Sequence, residues 1–221
     1  MSSFPGTPRI LKGGIVPLDP VTSAVLTARM IVLQYNPDTL SRSLQIQAIG
    51  ADGRDYSEAL RLKGPPVETF KLEAEIDATD QLEVPGQNAT TVDVGIFPQL
   101  ALLETLVYPS SAHLQANDSR QSSGELEIIP NEAPLTLFVW SRARIVPVRI
   151  TECSITEEAF DTALNPIRAK VSLGLRVLSV DDLGFGNKGG GLFMSYLQRK
   201  EQLAARGAGG SLGQLGLTGI P

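Results

Sequence analysis

The stretch TFKLEAEID, residues 69–77, alternates between apolar and charged side chains. Successive side chains of a β-strand point to opposite faces of a sheet, so this period of two predicts a strand, whereas a helix would spread the same residues around its circumference. The apolar face of the predicted strand consists of Phe70, Leu72, Ala74 and Ile76. The charged face consists of Lys71, Glu73, Glu75 and Asp77.

A second stretch with the same period covers residues 167–178. Its apolar positions are Ile167, Ala169, Val171, Leu173, Leu175 and Val177. The positions between them are Arg168, Lys170, Ser172, Gly174 and Arg176. Shorter β-prone segments are predicted at residues 15–18, 28–33, 40–49, 126–129, 135–140 and 144–152. The chain is therefore predicted to be mainly β, of the α+β class.

Two proline positions refine this prediction. Pro147 lies in the middle of segment 144–152, and because proline cannot donate to a strand ladder, it predicts an edge position or a bulge. The pair Asn36-Pro37 predicts a turn, since proline disfavours the helical backbone conformation for the residue that precedes it. We expect a fixed loop here between two strands, with the Asn36 side chain bonded to backbone. Residues 156–161 are predicted to form a short turn.

Helices are predicted in two places. Residues 96–107 have apolar side chains at three- and four-residue steps, with Pro98 suited to the first turn of an amphipathic helix. Residues 192–206 predict a second helix, whose apolar stripe includes Phe193, Tyr196 and Leu197. The polar stretch between them at 110–124 is predicted to be a mobile contact loop.

These elements suggest a β domain followed by an appendage. The β domain is assigned to residues 11–182, and the glycines within residues 183–191 predict a flexible linker to the helix at 192–206. Residues 1–10 and 207–221 are predicted to be flexible. A helix joined in this way cannot bury its apolar stripe alone, so docking on its own domain and docking on a neighbouring subunit are both left open.

Composition narrows the classes of function. The 221 residues carry a formal net charge of −5, which would repel nucleic acid. The single cysteine, Cys153, excludes an intrachain disulfide and a cysteine-based zinc site. The sequence has neither the apolar core of a secretory signal nor the ~20 apolar residues of a membrane span. We expect cytoplasmic synthesis, no membrane span and no nucleic acid among the partners.

Few residues offer catalytic or metal-binding chemistry. The only histidine, His113, has no orienting partner beside it for a Ser–His or Cys–His pair. The adjacent acids Glu157-Glu158 and Asp181-Asp182 would point to opposite faces of a strand. A non-enzymatic protein with no cofactor and no metal is predicted. The alternatives are a ligand- or carbohydrate-binding β-sandwich module and, less favoured, a carboxylate-based hydrolase, whose paired acids leave no spacing signature.

Two blocks of the sequence resemble a known family. Residues 31–42, IVLQYNPDTLSR, resemble the FQYNPxTLxR segment of contractile injection system tube and baseplate proteins. Residues 135–140, the triplet Pro147-Val148-Arg149 and residues 160–169 resemble the second block of that family, in the same order. The resemblance extends over roughly residues 11–182 of the chain.

This resemblance implies a tail-tube-like antiparallel β-barrel or sandwich with one flanking helix, here followed by a Gly-linked helix where several relatives carry a LysM module. It implies a ring, usually of six copies, that joins the inner tube to the spike. The implied partners are further copies of the chain, the inner tube protein, the spike or hub protein, and sheath or baseplate wedge proteins. The particle is assembled in the cytoplasm and is either released or retained. Which layer of the junction the chain occupies is left open.

The candidate site residues fall into two groups. The candidate assembly interface consists of Gln34, Tyr35, Asn36, Pro37, Phe193, Tyr196 and Leu197. The candidate lumen-facing residues are Lys71, Glu73, Glu75, Asp77, Arg168, Lys170 and Arg176. In a tube subunit, one or both of the alternating strands would join neighbouring protomers edge to edge and present these charges to a water-filled channel. In an isolated sandwich the same charges would simply be solvated.

Overall fold

The computed structural model describes residues 10–20, 22–48, 61–122 and 133–220. In this part of the chain seven strands form one antiparallel sheet. The strands are β1 Gly14–Pro17, β2 Ile31–Val32, β3 Leu40–Gln45, β4 Val67–Asp77, β5 Thr136–Ser141, β6 Arg144–Phe160 and β7 Pro166–Val177. Their order across the sheet is β2-β1-β5-β6-β7-β4-β3, which makes β2 and β3 the edges. The strand predicted at residues 126–129 and nearly all of the flexible segment 1–10 lie outside the described residues.

Both alternating stretches are confirmed as strands, and they lie side by side. β4 and β7 pair antiparallel from Thr69 opposite Arg176 to Asp77 opposite Arg168. This register places the apolar residues of both strands on one face, where Phe70, Val171 and Leu175 are fully buried. The charged residues of both strands share the opposite face. The period of two is therefore expressed in the sheet as the sequence predicts.

β6 differs from its prediction in two ways. It runs for 17 residues, from Arg144 to Phe160, and so passes straight through the turn expected at 156–161. Pro147 lies in an interior strand and not at an edge, and the bulge occurs later, between Ile150 and Glu152. The Pro147 carbonyl accepts a hydrogen bond from Leu178 N–H, just after β7 ends. Because the nitrogen and carbonyl of one residue point to the same side of a strand, the missing N–H faces a position where no ladder partner is required.

Six α-helices accompany the sheet in the described residues: α1 Thr79–Leu82, α2 Ala89–Val94, α3 Phe97–Glu104, α4 Ser111–Ser122, α5 Val180–Leu183 and α6 Lys188–Ala204. α3 confirms the helix predicted within residues 96–107. α4 corrects the loop predicted at 110–124. Ser110 caps it, since His113 N–H donates to the Ser110 hydroxyl (3.2 Å) and Leu114 N–H donates to the Ser110 carbonyl. A polar sequence is compatible with a helix once its first turn is capped.

Helices α3 and α6 cover one face of the sheet. The shared core contains Phe70, Phe138, Val146, Val171, Leu173 and Leu175 from the strands together with Leu100, Leu103, Phe193 and Tyr196 from the helices. The sheet is not closed into a barrel in the described residues, which corrects the barrel or sandwich expectation. The outermost strand β2 pairs with β1 through only two residues, Ile31 and Val32, and forms no ladder with β3 or β4, so the sheet of described strands stays open.

The C-terminal segment is also a correction. Gly189, Gly190 and Gly191 are the first residues of α6 after Lys188, whereas a flexible linker was predicted at 183–191. Asn187 caps the helix, since its side chain accepts from Gly189 N–H. A Cβ at Gly190 would lie 2.0 Å from the Gly184 carbonyl oxygen, so glycine is needed here for close packing of two segments. After α6, residues 205–220 are exposed and contain a single 3-10 turn, Leu212–Leu215.

Among the helices that the structure describes, none combines the length and the apolar character that crossing a bilayer would require.

Candidate assembly site

The Gln34 side chain occupies a place beside the end of β4 that another strand could have taken. β3 pairs with β4 only as far as Leu72, so among the described strands none borders residues 73–77 on that side. Gln34 Nε2 donates to the Asp77 carbonyl oxygen (2.7 Å), and Asp77 N–H donates to Gln34 Oε1 (3.0 Å). A primary amide offers one donor group and one acceptor, which matches a peptide group. The turn is thereby fixed against β4.

Asn36 ties the same turn to the start of the sheet. Gly13 N–H donates to Asn36 Oδ1 (2.9 Å), and Asn36 Nδ2 donates to the Leu11 carbonyl oxygen (2.8 Å). The expectation that the Asn36 side chain bonds to backbone is confirmed. Tyr35 and Pro37, on either side, are held in place by this anchoring, and Tyr35 remains 48% exposed. The turn therefore presents an aromatic side chain to solvent from a fixed backbone.

The candidate lumen-facing residues lie on one face of β4 and β7. The register places Glu73 opposite Ser172, Glu75 opposite Lys170 and Asp77 opposite Arg168. Neither strand is an edge, because β4 lies between β3 and β7, and β7 lies between β4 and β6. β7 is therefore not available to join a neighbouring protomer edge to edge, and β4 is open on one side only at residues 73–77, where β3 no longer pairs with it. The outermost strands in the described residues are β2 and β3, and β6 is also open on one side beyond its pairing with β5.

Acidic and basic side chains alternate across this face and form ion pairs with one another. Arg168 Nη2 lies 2.6 Å from Asp77 Oδ2, and Lys170 Nζ lies 3.1 Å from Glu158 Oε1 on β6. The Thr79 hydroxyl and N–H, together with the Arg168 guanidinium, hold the pKa of Asp77 below its usual value against the opposing effect of burial. The hydrogen bond and charge of Glu158 raise the pKa of Lys170. The face is thus charged, exposed to solvent and internally neutralised over much of its area.

Gly174 allows one of these pairs to cross a whole strand. Lys71 and Glu152 both face Gly174, from β4 and β6 respectively. Lys71 Nζ reaches Glu152 Oε2 at 3.3 Å, and a Cβ on Gly174 would lie 2.9 Å from the Glu152 Cβ. Arg176, at the end of the face, pairs instead with Asp182 (2.7 Å). Because Asp182 also accepts from Ser179 N–H at the start of α5, Arg176 stabilises the end of the sheet.

The two sequence blocks meet at Asp77. Gln34, from the first block, binds the backbone of Asp77, and Arg168, from the second block, binds its carboxylate through Nε at 2.8 Å. The turn and the charged face also share a polar cleft of about 350 Å³. Its lining includes Tyr35, Asn36, Pro37, Glu73, Glu75 and Lys170. Two groups of candidate residues are thus brought into one site.

The three candidate residues on α6 do not belong to that site. Phe193 and Tyr196 are 6% and 5% exposed and pack in the core of their own chain, and Leu197 is half-buried against it. As interface candidates, Phe193 and Tyr196 are therefore wrong, because their surface is already covered. Of the two dockings that the sequence left open, the structure has the helix on its own domain.

A buried carboxylate that the sequence analysis missed joins α6 to the sheet. Glu68 is 3% exposed, and it accepts hydrogen bonds from the Tyr196 hydroxyl (2.8 Å) and Lys200 Nζ (2.7 Å), while Arg42 Nη1 lies 3.7 Å from its Oε1. Burial, and then the hydrogen bond to Glu68, raise the pKa of Tyr196 to about 12. The burial of Glu68 could have been predicted from the sequence, because residue 68 lies on the same face of β4 as the apolar positions 70, 72 and 74. An acid on a buried face requires partners.

The remaining candidates for chemistry are dispersed. Cys153 is half-buried on β6, where burial and then the charge of Glu104 raise its thiol pKa. His113 is half-buried on α4. Glu157 and Glu158 face opposite sides of β6, as expected, because they pair with Ala169 and Arg168. Within the described ranges, no three His, Cys, Asp or Glu side chains are grouped so that they could hold a metal ion.

Comparison of the sequence with protein families and with curated proteins found no match to this chain.

Proposed function

We propose that this chain is a non-enzymatic structural subunit of a contractile injection system, placed where the inner tube joins the spike. The observation that carries the proposal is the meeting of the two family-like blocks at Asp77. Gln34 and Arg168 are far apart in sequence, yet both bind this one residue. A resemblance made of unrelated fragments would have no reason to converge on one contact.

The charged face supports a channel role. Its ion pairs join β4, β6 and β7, so no large apolar area is presented there. A wall of paired charges keeps water bound and offers a passing cargo protein little apolar surface to adhere to. In the proposed ring, Lys71, Glu73 and Lys170 face the central channel.

Ring closure in this proposal uses the strand edges. β3 is an edge strand whose residues from Ser41 to Gln45 are exposed. β6 pairs with β5 only through residues 144–148, so among the described strands its long second half has a partner only in β7. Two different free edges on one protomer allow a head-to-tail contact, which closes into a ring when the rotation permits.

The test is to purify the tagged full-length chain from its native cells and to image it by electron microscopy, with mass spectrometry of the co-purified proteins. Rings or tail-like particles with tube and spike proteins are expected, and a reconstruction should place the charged face toward the channel. Compact monomers without such partners would contradict the proposal. So would a reconstruction with the charged face on the outer surface of the particle.

A variant separates assembly from folding. Tyr35→Ala removes an exposed side chain from the anchored turn, so the urea midpoint should stay unchanged while the fraction of chain in rings falls. Tyr108→Ala is the matched control, because Tyr108 is 69% exposed and lies outside this site. Equal ring yields for the two variants would show that the turn has no role in assembly.

A further inference from the structure

Glu68 is the one charged residue among the buried side chains of the part of the chain that the structure describes. Each of its carboxylate oxygens has a donor from α6: the Tyr196 hydroxyl at Oε1 (2.8 Å) and Lys200 Nζ at Oε2 (2.7 Å). Arg42 on β3 lies 3.7 Å from Oε1 through Nη1. A buried carboxylate keeps its charge only when such partners surround it. The partners of Glu68 come from two elements that are far apart in sequence, α6 and the edge strand β3.

The edge strand β3 has few other attachments. Its ladder partner among the described strands is β4 alone. Arg42 stands opposite Phe70 in that ladder, so its side chain is diagonal to Glu68 on the same face of the sheet. On the other face, the Ser43 hydroxyl lies 3.1 Å from the Thr69 hydroxyl at an exposed position. The pair between Arg42 and Glu68 is therefore the one ion pair of β3 within the described residues.

The second half of α6 is held at the same carboxylate. Lys200 Nζ lies 4.1 Å from the centre of the Tyr196 ring, so its ammonium group sits between that ring and Glu68. After Lys200, every residue from 201 to 210 is exposed. Burial and the bond to Glu68 raise the pKa of Tyr196, while the Arg42 guanidinium lowers it in part. Groups on β3 and on α6 thus act on one another across Glu68.

We propose that Glu68 couples α6 to β3, so that the docked helix holds the edge strand in place and release of residues 196–204 loosens it. The docked helix keeps water away from Glu68, and an ion pair is stronger in such a site than in solvent. Once the helix leaves, the pair between Arg42 and Glu68 becomes a solvated pair, which contributes little. The coupling is reciprocal, because loss of Arg42 leaves the carboxylate less compensated under the docked helix.

This coupling makes the free edge of β3 conditional on the C-terminal helix. In the ring proposed above, β3 supplies one of the two strand edges that join neighbouring protomers, and this consequence rests on that proposed function. A strand edge is a template for another strand only while its backbone groups are held in an extended row. The docked helix then gives a chain that is competent for assembly, and the released helix gives one that is not.

Amide hydrogen exchange of the full-length chain, at a concentration where it is monomeric, tests the coupling. Lys200→Glu places a like charge beside Glu68 and should release the second half of α6. Peptides covering residues 40–45 of β3 should then exchange at least about tenfold faster, while those of β7 stay within about twofold of wild type. Arg199→Glu is the matched control, because it makes the same charge change at the adjacent, exposed position of α6. Lys200→Arg keeps the charge and should preserve the exchange of wild type.

The reciprocal experiment starts from β3. Arg42→Met should speed the exchange of residues 196–204 of α6, although the substitution lies on a different element. Ser43→Ala, on the other face of β3, should leave α6 unchanged. The proposal is overturned if Lys200→Glu leaves β3 unchanged, or if Arg42→Met leaves α6 unchanged. It is also overturned if β7 exchanges faster to the same extent as β3, since Glu68 would then contribute only to global stability.

Electron microscopy of the same variants keeps the two proposals apart. Lys200→Glu should form fewer rings than Arg199→Glu, and equal ring yields would overturn the control of assembly by α6. If the wild type forms no rings but exchange responds as expected, the proposed function fails and the coupling stands. If rings form with tube and spike proteins but exchange in β3 does not respond, the coupling is wrong and the proposed function stands.

Discussion

The β4–β7 strand pair and helix α6 contribute to the same core, but they are attached in different ways. β4 and β7 share an unbroken register from Thr69 to Asp77, with packing on one face and ion pairs on the other. α6 is attached at a few points: Phe193 and Tyr196 in the core, the close approach of Gly190 to Gly184, and the Glu68 cluster. Because many contacts hold β4 to β7, a single substitution there should lower stability strongly only at a large buried side chain. Because α6 is held at a few points, even a small substitution at one of them should change stability.

The largest effect is expected in the strand pair. Phe70 is fully buried and its ring lies 5.4 Å from that of Phe138. Phe70→Ala should lower the free energy of unfolding by about 3–5 kcal/mol, because it leaves a cavity where two aromatic rings meet. Urea unfolding measures this, with Glu73→Ala on the exposed face of β4 as the control, for which a change within about 0.5 kcal/mol is expected. A similar cost for both variants would contradict the assignment of the two faces.

The next effect concerns α6 and compares two neighbouring glycines. Gly190→Ala should destabilise the protein by about 1–3 kcal/mol, because the new methyl group would meet the Gly184 carbonyl, which belongs to backbone and cannot easily move. Gly191→Ala should stabilise it by about 0.5–1 kcal/mol, because no atom lies within 4 Å of that position and alanine favours a helix. Urea unfolding of both variants measures the difference. In a flexible linker neither substitution would change stability.

The same comparison explains what the sequence could and could not predict. The alternation in β4 and β7 is a local pattern, and burial of one face follows from it directly. The glycine run at 189–191 is locally ambiguous, since it suits a linker as well as a tight helix contact. The Gly184 carbonyl makes the difference between a linker and a tight helix contact, and its position depends on how α5 ends. Likewise, the failure of barrel closure depends on how few residues β2 pairs, which no periodicity encodes.

The candidate site was predicted in part for the same reason. The turn at residues 34–37 has its own chemistry, so its fixed conformation could be inferred from Asn36 and Pro37. Its contact with Asp77 could not, because that contact depends on β3 ending its pairing at Leu72. Glu68 was predictable in principle from its phase in β4. Its partner Tyr196 was not, since the docking of α6 could not be derived from the helix pattern.

A third, smaller effect concerns the contact that joins the two regions. Tyr196→Phe removes a donor from the buried Glu68 carboxylate and should cost about 1–2 kcal/mol at neutral pH. Because the pKa of Tyr196 is raised to about 12, the folded state favours the protonated phenol. The stabilisation that the protonated Tyr196 phenol contributes is complete below the pKa of tyrosine in the unfolded chain, about 10, and is lost as pH rises toward 12. The variant should therefore lose less stability than wild type between these values, as measured by urea unfolding across alkaline pH. Tyr108→Phe should follow the wild-type curve, and an equally steep loss for Tyr196→Phe would contradict the contact.

The smallest effect is expected at Asp77, where the strand pair meets the turn. Its pKa is lowered chiefly by the Thr79 hydrogen bonds and by Arg168, so the ionised carboxylate stabilises the folded state. That contribution is present above the unfolded pKa, near 3.8, and is lost as pH falls through the lower folded value. Asp77→Asn should cost about 0.5–1 kcal/mol at neutral pH, since the site is near the surface, and should flatten the loss of stability in acid. Asp93→Asn, at an exposed position on α2, is the matched control. If Asp77→Asn kept the acid sensitivity of wild type, the contact between Arg168 and Asp77 would contribute nothing to stability, and the meeting point of the two blocks would lose its energetic basis.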